Sequence, residues 1–129
     1  MSQKRMLLKK SILLLEDDTL LAETLAQALT DGGYHAVTAT TVKEALGKLK
    51  NQAFFCVVTD IRLNAESGED LIDAIRARPQ TDPLQRVPIL VISGYLDRDL
   101  AERLQSRING ALVKPFTHKD LVSKLQTIG

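Results

Sequence analysis

The chain has 129 residues and carries 17 Lys and Arg against 16 Asp and Glu, which gives a net charge of +1. That length suits one domain whose core needs no disulfide or structural metal, and the balanced charge argues against direct binding of nucleic acid or a membrane surface. No apolar run approaches the roughly 18 residues of a membrane span. The single cysteine, Cys56, is typical of a buried residue in the reducing cytosol. We therefore expect a cytoplasmic protein.

The first predicted strand follows a basic lead-in, residues 1–10, and opens a domain predicted over residues 11–129. Residues 12–15 are all apolar, a pattern typical of a parallel strand that is covered on both faces. The strand stops at Glu16 and Asp17. Leucines at helical spacing follow, and a Gly-Gly pair predicts the end of this first helix.

The second strand, residues 35–38, has the weakest pattern of the predicted strands. A capping box of Thr41 and Glu44 then predicts the start of the second helix. The third strand, residues 54–60, contains an apolar run and closes with Asp60. The Asp60 carboxylate is therefore expected at the carboxyl edge of the sheet, where open α/β folds gather their functional groups.

The rest of the chain continues the alternation of strand and helix. Its predicted elements are, in order, a third helix from Ser67, a polar loop over residues 76–86, a fourth strand over 87–93, a fourth helix capped by Asp97, a fifth strand over 110–114 and a last helix from Thr117. The fourth strand ends at Ser93 and the fifth at Lys114, so two more polar side chains are expected at the same edge.

Five successive β-α units predict an α/β fold with a doubly wound, five-stranded parallel sheet in the order 2-1-3-4-5. In that order the first and third strands are neighbours at the point where the winding reverses. Glu16, Asp17 and Asp60 are then expected to share one pocket. Two ionised carboxylates about 4 Å apart repel by roughly 4 kcal/mol at an effective dielectric near 20. Such a cluster takes up protons or is held by a cation.

Mg²⁺ is the cation that suits this pocket, because the ligands are oxygens and no His or Cys is near them. Lys114 would add positive charge on the other side, and Ser93 a hydroxyl for an oxyanion. Each residue alone has an ordinary explanation, since an acid after a strand often caps the next helix and Ser-Gly and Lys-Pro pairs are common in turns and loops. Their joint placement at strand ends favours a functional site.

In these segments the chain resembles the receiver domains of two-component response regulators, over about residues 10–128. The resemblance is carried by residues 12–18 (ILLLEDD), 57–63 (VVTDIRL) with Ser67-Gly68, 89–94 (ILVISG) and 112–116 (LVKPF). It implies the flavodoxin-like receiver fold, with Asp60 as the phosphoacceptor. It also implies Mg²⁺ bound by Asp17, Asp60 and the backbone carbonyl of Arg62, with Glu16 reaching the ion mostly through water.

The resemblance further implies that Ser93 and Lys114 contact the phosphoryl group and that the Lys114–Pro115 peptide bond is cis. The phosphoryl group would come from the phosphohistidine of a sensor histidine kinase or a histidine phosphotransfer protein. Such a domain is a signalling switch with slow self-dephosphorylation, not a turnover enzyme. Its downstream partner would bind the face formed by the fourth helix, fifth strand and fifth helix, and the domain would be a monomer or a weak homodimer. We expect a single domain with no appended output domain, which could be a free-standing regulator, a phosphorelay carrier, or a receiver cut from a hybrid kinase or a larger regulator.

Two positions depart from the usual pattern of that family, and two more bear on the lifetime of the phosphoryl group. Ala111 stands where an aromatic residue commonly turns inward on activation, and Tyr95 is a candidate substitute, although it could equally contact a partner or cover the pocket. Asn64 stands where a proline is common, which predicts a looser loop after Asp60. Arg62 and Tyr95 occupy the positions that tune phosphoryl lifetime, and both side chains are large.

The sequence is also compatible with two other functions. A small phosphatase of the haloacid-dehalogenase type also uses a strand-end Asp, Mg²⁺ and Lys, but it would have a second Asp where Arg62 stands. A pseudo-receiver would be a docking module that works without phosphate, and it would have lost an acidic or lysine position. Among the remaining charged residues, Arg98, Arg103 and Arg107 are interpreted as a solvated face, with partner docking as the alternative.

Overall fold

The structure, a computed structural model, describes residues 9–128. Five parallel strands form one sheet in the predicted order, β2-β1-β3-β4-β5. The strands are β1 Ser11–Leu15, β2 His35–Ala39, β3 Cys56–Asp60, β4 Ile89–Ser93 and β5 Gly110–Val113. Residues 1–8, most of the predicted lead-in, and residue 129 lie outside the described part of the chain. The α/β fold with a doubly wound sheet is confirmed.

Five α-helices connect or follow the strands: α1 Thr19–Asp31, α2 Val42–Asn51, α3 Gly68–Arg76, α4 Arg98–Leu104 and α5 His118–Ile128. Their starts are fixed by side-chain caps, because the first amides of a helix have no partner within it. Asp18, Thr41, Ser67 and Asp97 cap the first four helices. Thr117 and Asp120 exchange hydrogen bonds of 3.0 Å at the start of α5, as a capping box does.

Strand residues point alternately to the two faces of the sheet, and helices cover both faces. Leu13 and Leu15 pack with the apolar sides of α2, α3 and α4. Ile12 and Leu14 pack with those of α1 and α5. This double cover explains why the three central strands, β1, β3 and β4, contain apolar runs without alternation. None of the helices within residues 9–128 is long and apolar enough to cross a membrane.

The structure differs from the predicted elements in small ways. β3 begins at Cys56 instead of residue 54, and the loop predicted over residues 76–86 contains a 3-10 turn, Pro83–Arg86, capped by Asp82. α4 ends at Leu104, yet Ile108 beyond it still packs on the core. The apolar pattern therefore predicted which residues are buried more accurately than it predicted the ends of helices and strands.

The strand register decides which side chains meet at the carboxyl edge of the sheet. Leu15 of β1 lies opposite Thr59 of β3, so the next residues along each strand, Glu16 and Asp60, leave the sheet together. On the other side of Asp60, Lys114 donates its backbone N–H to the Ser93 carbonyl at 2.7 Å. The polar residues predicted at the strand ends thus emerge at one edge.

Candidate functional site

Asp60 is the last residue of β3, and its side chain is almost fully buried at the edge of the sheet. Its Oδ2 atom lies 2.6 Å from Nζ of Lys114, and its Oδ1 atom accepts the N–H of Arg62 at 3.1 Å. Burial of an ionised carboxylate is costly unless charge and hydrogen bonds compensate it. Both oxygens of Asp60 have such a partner.

Lys114 is shared between Asp60 and a second buried carboxylate. Its Nζ atom lies 2.8 Å from Oε1 of Glu16, a residue that is only 1% exposed. We refer to Glu16, Asp60 and Lys114 as the Lys114 cluster. It contains two carboxylates for one ammonium group, so one negative charge is left without a cation inside the cluster.

The pKa values in this cluster reflect burial and shared charge. Burial raises the pKa of Glu16, and the nearby Asp60 charge raises it further, against the opposing effect of the Lys114 hydrogen bond. For Lys114, burial lowers the pKa, but the hydrogen bonds and charges of Asp60 and Glu16 together outweigh it, so its pKa is raised. Lys114 is therefore cationic throughout the physiological pH range.

Asp17 follows Glu16 in the chain, and its side chain contacts the β3–α3 loop, residues 61–67, instead of Lys114. Its Oδ2 atom accepts the backbone N–H of Asn64 at 2.6 Å. Within residues 9–128, no three side chains of His, Cys, Asp or Glu form a ready-made metal cluster. Because Mg²⁺ uses only one or two carboxylates and keeps several waters, the oxygen groups of Asp17 and Asp60 still suit it.

The Arg62 carbonyl is the third oxygen predicted for the ion. The β3–α3 loop is closed by an antiparallel bridge between Arg62 and Ser67, flanked by hydrogen bonds from Gly68 to Ile61 and from Leu63 to Glu66. Within residues 9–128 the Arg62 carbonyl oxygen accepts no hydrogen bond. The donor set therefore fits a hard cation such as Mg²⁺.

Ser93 is at the predicted strand end but its hydroxyl has other partners. Its Oγ atom donates to the carbonyl of Tyr95 at 2.6 Å and accepts the Tyr95 N–H at 3.2 Å. Ser93 is 1% exposed, and its hydroxyl makes no hydrogen bond to Asp60 or to the side chain of Lys114 in the structure. Its hydroxyl would have to exchange these bonds in order to contact a group on Asp60.

Tyr95 is 55% exposed and does not fill the place of an inward-facing aromatic residue. Its ring lies under the guanidinium group of Arg62, with 5.5 Å from the Arg62 Cζ atom to the ring centroid. Ala111, at the usual aromatic position, packs against the apolar core below α4. This position of Tyr95 agrees with a residue that covers the pocket or contacts a partner, and not with a substitute for the inward-turning aromatic residue.

Gly68, the first residue of α3, touches the backbone of Asp60. A Cβ atom on Gly68 would lie 1.9 Å from the Asp60 carbonyl oxygen and 2.8 Å from Oγ1 of Thr59. Only a residue without a side chain fits there. The sequence placed Gly68 in the motif but did not reveal that it allows α3 to begin directly against Asp60.

Two further sets of contacts near the site were not predicted. Glu66 of the β3–α3 loop accepts the N–H of Val42, the first residue of α2, at 2.8 Å. On α3, Glu69 and Asp73 form ion pairs with Arg103 and Arg107. The side chains of Arg98 and Arg103 are exposed, as a solvated face requires, whereas Arg107 is partly buried. Both sets join residues at least 24 positions apart, and no local pattern could indicate them.

Comparison with known proteins agrees with this geometry. The family model described as the response regulator receiver domain matches residues 12–126. The chemotaxis protein CheY of Pseudomonas aeruginosa is 31% identical over 119 residues, which are 91% of this chain and 94% of that protein. The response regulator protein FleR of the same organism is 32% identical over 112 residues, and the chain spans only 23% of its length.

Solved structures agree as well. A CheY-like receiver domain protein from Methanospirillum hungatei superposes with a TM-score of 0.81 at 26% identity, and the match covers 93% of each chain. CheY4 of Vibrio cholerae, at 24% identity, has a TM-score of 0.87 over 95% of this chain and 100% of that one, which supports the fold.

Proposed function

The chain belongs to the response regulator receiver domains, and on this premise we propose that Asp60 accepts a phosphoryl group from phosphohistidine. The donor would be a sensor histidine kinase or a histidine phosphotransfer protein. The observation that supports this most directly is the Lys114 cluster, in which a buried strand-end carboxylate shares its lysine with a second acid. Phosphorylation of Asp60 would then change the binding of a downstream partner.

The proposed transfer forms one bond and breaks one. A carboxylate oxygen of Asp60 attacks phosphorus, the P–N bond to the donor histidine breaks, and its electron pair stays on the imidazole nitrogen, which takes up a proton. The product is an acyl phosphate on Asp60. Catalysis of such a transfer consists mostly of positioning and charge stabilisation, and the fixed contacts of Asp60 with Arg62 and Lys114 provide the positioning.

We assign Mg²⁺ to Asp17, Asp60 and the Arg62 carbonyl, with Glu16 reaching it through water. When bound, the ion would neutralise negative charge on the phosphoryl oxygens. The assignment is supported by the oxygen-only donor set and by the excess negative charge of the Lys114 cluster.

Lys114 and Ser93 complete the proposed machinery. The Lys114 ammonium group remains protonated and can move from the two carboxylates to a phosphoryl oxygen, because its side chain is still 26% exposed. Ser93 would release the backbone of Tyr95 when its hydroxyl turns to the phosphoryl group. The segment between β4 and α4 is therefore the part of the chain that we expect to respond to phosphorylation.

The lifetime of the phosphoryl group is proposed to depend on Arg62 and Tyr95. Their side chains contact each other and belong to the segments that follow Asp60 and Ser93. We propose that this pair hinders the approach of water, which favours slow hydrolysis. The domain would thus act as a switch in the cytoplasm and not as a turnover enzyme. Its output partner is expected to bind the face of α4, β5 and α5, where Val113 is half-exposed.

The phosphoacceptor is tested by labelling with acetyl phosphate in Mg²⁺ buffer. Wild-type protein should be labelled stoichiometrically, and Asp60→Asn should abolish the label because its amide is not a nucleophile at neutral pH. Asp73→Asn, on the exposed side of α3, is the matched control and should be labelled as wild type is. Equal labelling of the Asp60→Asn protein would refute the assignment.

The labelling assay, together with an assay of phosphatase activity, separates the other two functions. A folded wild-type protein that takes up neither Mg²⁺ nor label would be a pseudo-receiver. Steady phosphate release from p-nitrophenyl phosphate would favour the haloacid-dehalogenase type of phosphatase. That class is less well supported, since Arg62 stands at the position of its second acid and lies instead against Tyr95.

A further inference from the structure

We propose that Glu66 is a positioning residue, which fastens the β3–α3 loop to α2 and thereby holds Asp17 and the Arg62 carbonyl in place for the cation. This inference rests on the proposed function as far as it concerns Mg²⁺. The fastening itself is a property of the protein without metal.

The first observation is the bond between Glu66 and Val42. The Oε2 atom of Glu66 accepts the Val42 N–H at 2.8 Å, across 24 residues of sequence. Val42 is the first residue of α2, where amides lack partners within the helix and the helix dipole attracts negative charge. The hydroxyl of the capping residue Thr41 accepts a hydrogen bond from the Glu44 N–H and not from the Val42 N–H. Glu66 therefore supplies an acceptor for an amide that the cap does not bind.

The second observation is the shape of the loop that Glu66 holds. The Leu63 N–H bonds to the Glu66 carbonyl at 3.2 Å, so the side chain and the backbone of Glu66 act together at the base of the loop. Asn64 and Ala65 form its exposed tip. The tip is joined to the candidate site by a hydrogen bond of 2.6 Å, which the Asn64 N–H donates to Oδ2 of Asp17.

These bonds form a connected series from α2 to the candidate cation ligands. Val42 holds Glu66, the loop carries Arg62 and Asn64, and Asn64 orients Asp17 so that Oδ1 is left for the ion. A proline at position 64 would stiffen the loop but could not donate this bond. The chain therefore fixes its loop by two hydrogen bonds in place of the restricted backbone of a proline.

The test compares wild type with three variants, Glu66→Ala, Glu66→Gln and Glu44→Ala. Glu66→Ala removes the acceptor, whereas the side-chain carbonyl of Gln can still accept the Val42 N–H. Glu44→Ala is the matched control: Glu44 accepts the Thr40 N–H at 2.8 Å at the same end of α2 but does not contact the β3–α3 loop. If Glu66 only stabilised the start of α2, Glu66→Ala and Glu44→Ala would have the same effects on the β3–α3 loop and on Mg²⁺ binding.

Two readouts are used, and the first needs no metal. In metal-free protein, hydrogen exchange of the Asn64 amide measured by NMR should accelerate in Glu66→Ala and stay near wild type in the other two variants. In Mg²⁺ titrations followed by NMR shifts, Glu66→Ala should bind about 10-fold more weakly, the low end of the effect of residues that support metal ligands. Glu66→Gln should restore most of the affinity.

The outcomes separate the two proposals. Unchanged Asn64 exchange in a folded Glu66→Ala protein would overturn the positioning role, and so would equal weakening of Mg²⁺ binding by Glu44→Ala. If wild-type protein binds no Mg²⁺ at all, the proposed function fails, and the Asn64 exchange rates still decide whether Glu66 holds the loop. Faster exchange that is restored by Gln supports the tether in either case.

Discussion

Two groups of paired charges each contain a glutamate, and folding shifts the pKa values of the two glutamates in opposite directions. In the Lys114 cluster, burial raises the pKa of Glu16. In the α3–α4 network, which consists of Glu69, Asp73, Arg103 and Arg107, a hydrogen bond from Arg103 lowers the pKa of Glu69. Each glutamate has a basic partner at 2.8 Å, so the presence of a salt bridge does not explain the difference.

The difference comes from burial and from the ratio of acids to bases. Glu16 is buried and shares one lysine with Asp60, whereas the side chain of Glu69 is 21% exposed and has two arginines near it. A balanced, hydrated network favours ionised acids, while an unbalanced, buried cluster disfavours them. The Lys114 cluster therefore contains one carboxylate more than it has cations, and an excess carboxylate of this kind is a feature of a cation site.

The largest expected effect comes from removing the only cation of the Lys114 cluster. Lys114→Met should lower the free energy of unfolding at pH 7 by about 3 kcal/mol, because two buried carboxylates lose their partner. Urea denaturation measures this, with the exposed Lys43→Met as the control. The loss should shrink as the pH falls and the acids take up protons. A Lys114→Met protein as stable as wild type at pH 7 would show that the two acids do not need the lysine.

The second variant should act in the opposite direction. Since the pKa of Glu16 is raised in the folded protein, the folded state holds the proton more tightly, and stability present below about pH 4.5 is lost as the pH rises through the folded value. Glu16→Gln removes that loss and should gain about 0.5–2 kcal/mol at pH 7. The gain should disappear below pH 4.5, as urea denaturation over a pH series would show. A variant less stable than wild type at pH 7 would contradict this sign.

The smallest effect is expected in the α3–α4 network. The pKa of Glu69 is lowered, so its contribution is present above about pH 4.5 and is lost as the pH falls through the folded value. Glu69→Gln should therefore cost about 0.5–1 kcal/mol at pH 7, and 1 M NaCl should remove most of that cost because these groups are partly hydrated. If the cost exceeded that of Lys114→Met, the comparison between the two groups would be wrong.

The sequence was sufficient for the fold because its signals are local or follow from general rules. Apolar runs without alternation predicted three strands, β1, β3 and β4, and the regular alternation with helices indicated β2 and β5. The handedness of β-α-β connections fixed the sheet order that the structure confirms. The same order brought Glu16, Asp60 and Lys114 to one edge. The expected cis bond between Lys114 and Pro115 is also present.

The contacts within the site could not be predicted, because they depend on where long side chains turn after folding. The sequence placed Lys114 across the pocket from the acids, whereas it binds two of them directly. Ser93 is predicted to contact a phosphoryl group, but the sequence did not indicate that its hydroxyl bonds to the backbone of Tyr95 in the structure. Asn64 was expected to loosen its loop, yet its N–H, which a proline lacks, bonds to Asp17.

The burial of Cys56 has a practical consequence for following the proposed switch. Burial between the sheet and its helices raises the pKa of this thiol to about 12, so its reactive thiolate form is on the order of 10⁻⁵ of the total at pH 7. Because the chain has no other cysteine, a cysteine introduced at an exposed position such as Arg98, at the start of α4, would be the only thiol open to a maleimide dye. Fluorescent reporters can therefore be attached to the wild-type background without first removing the natural thiol.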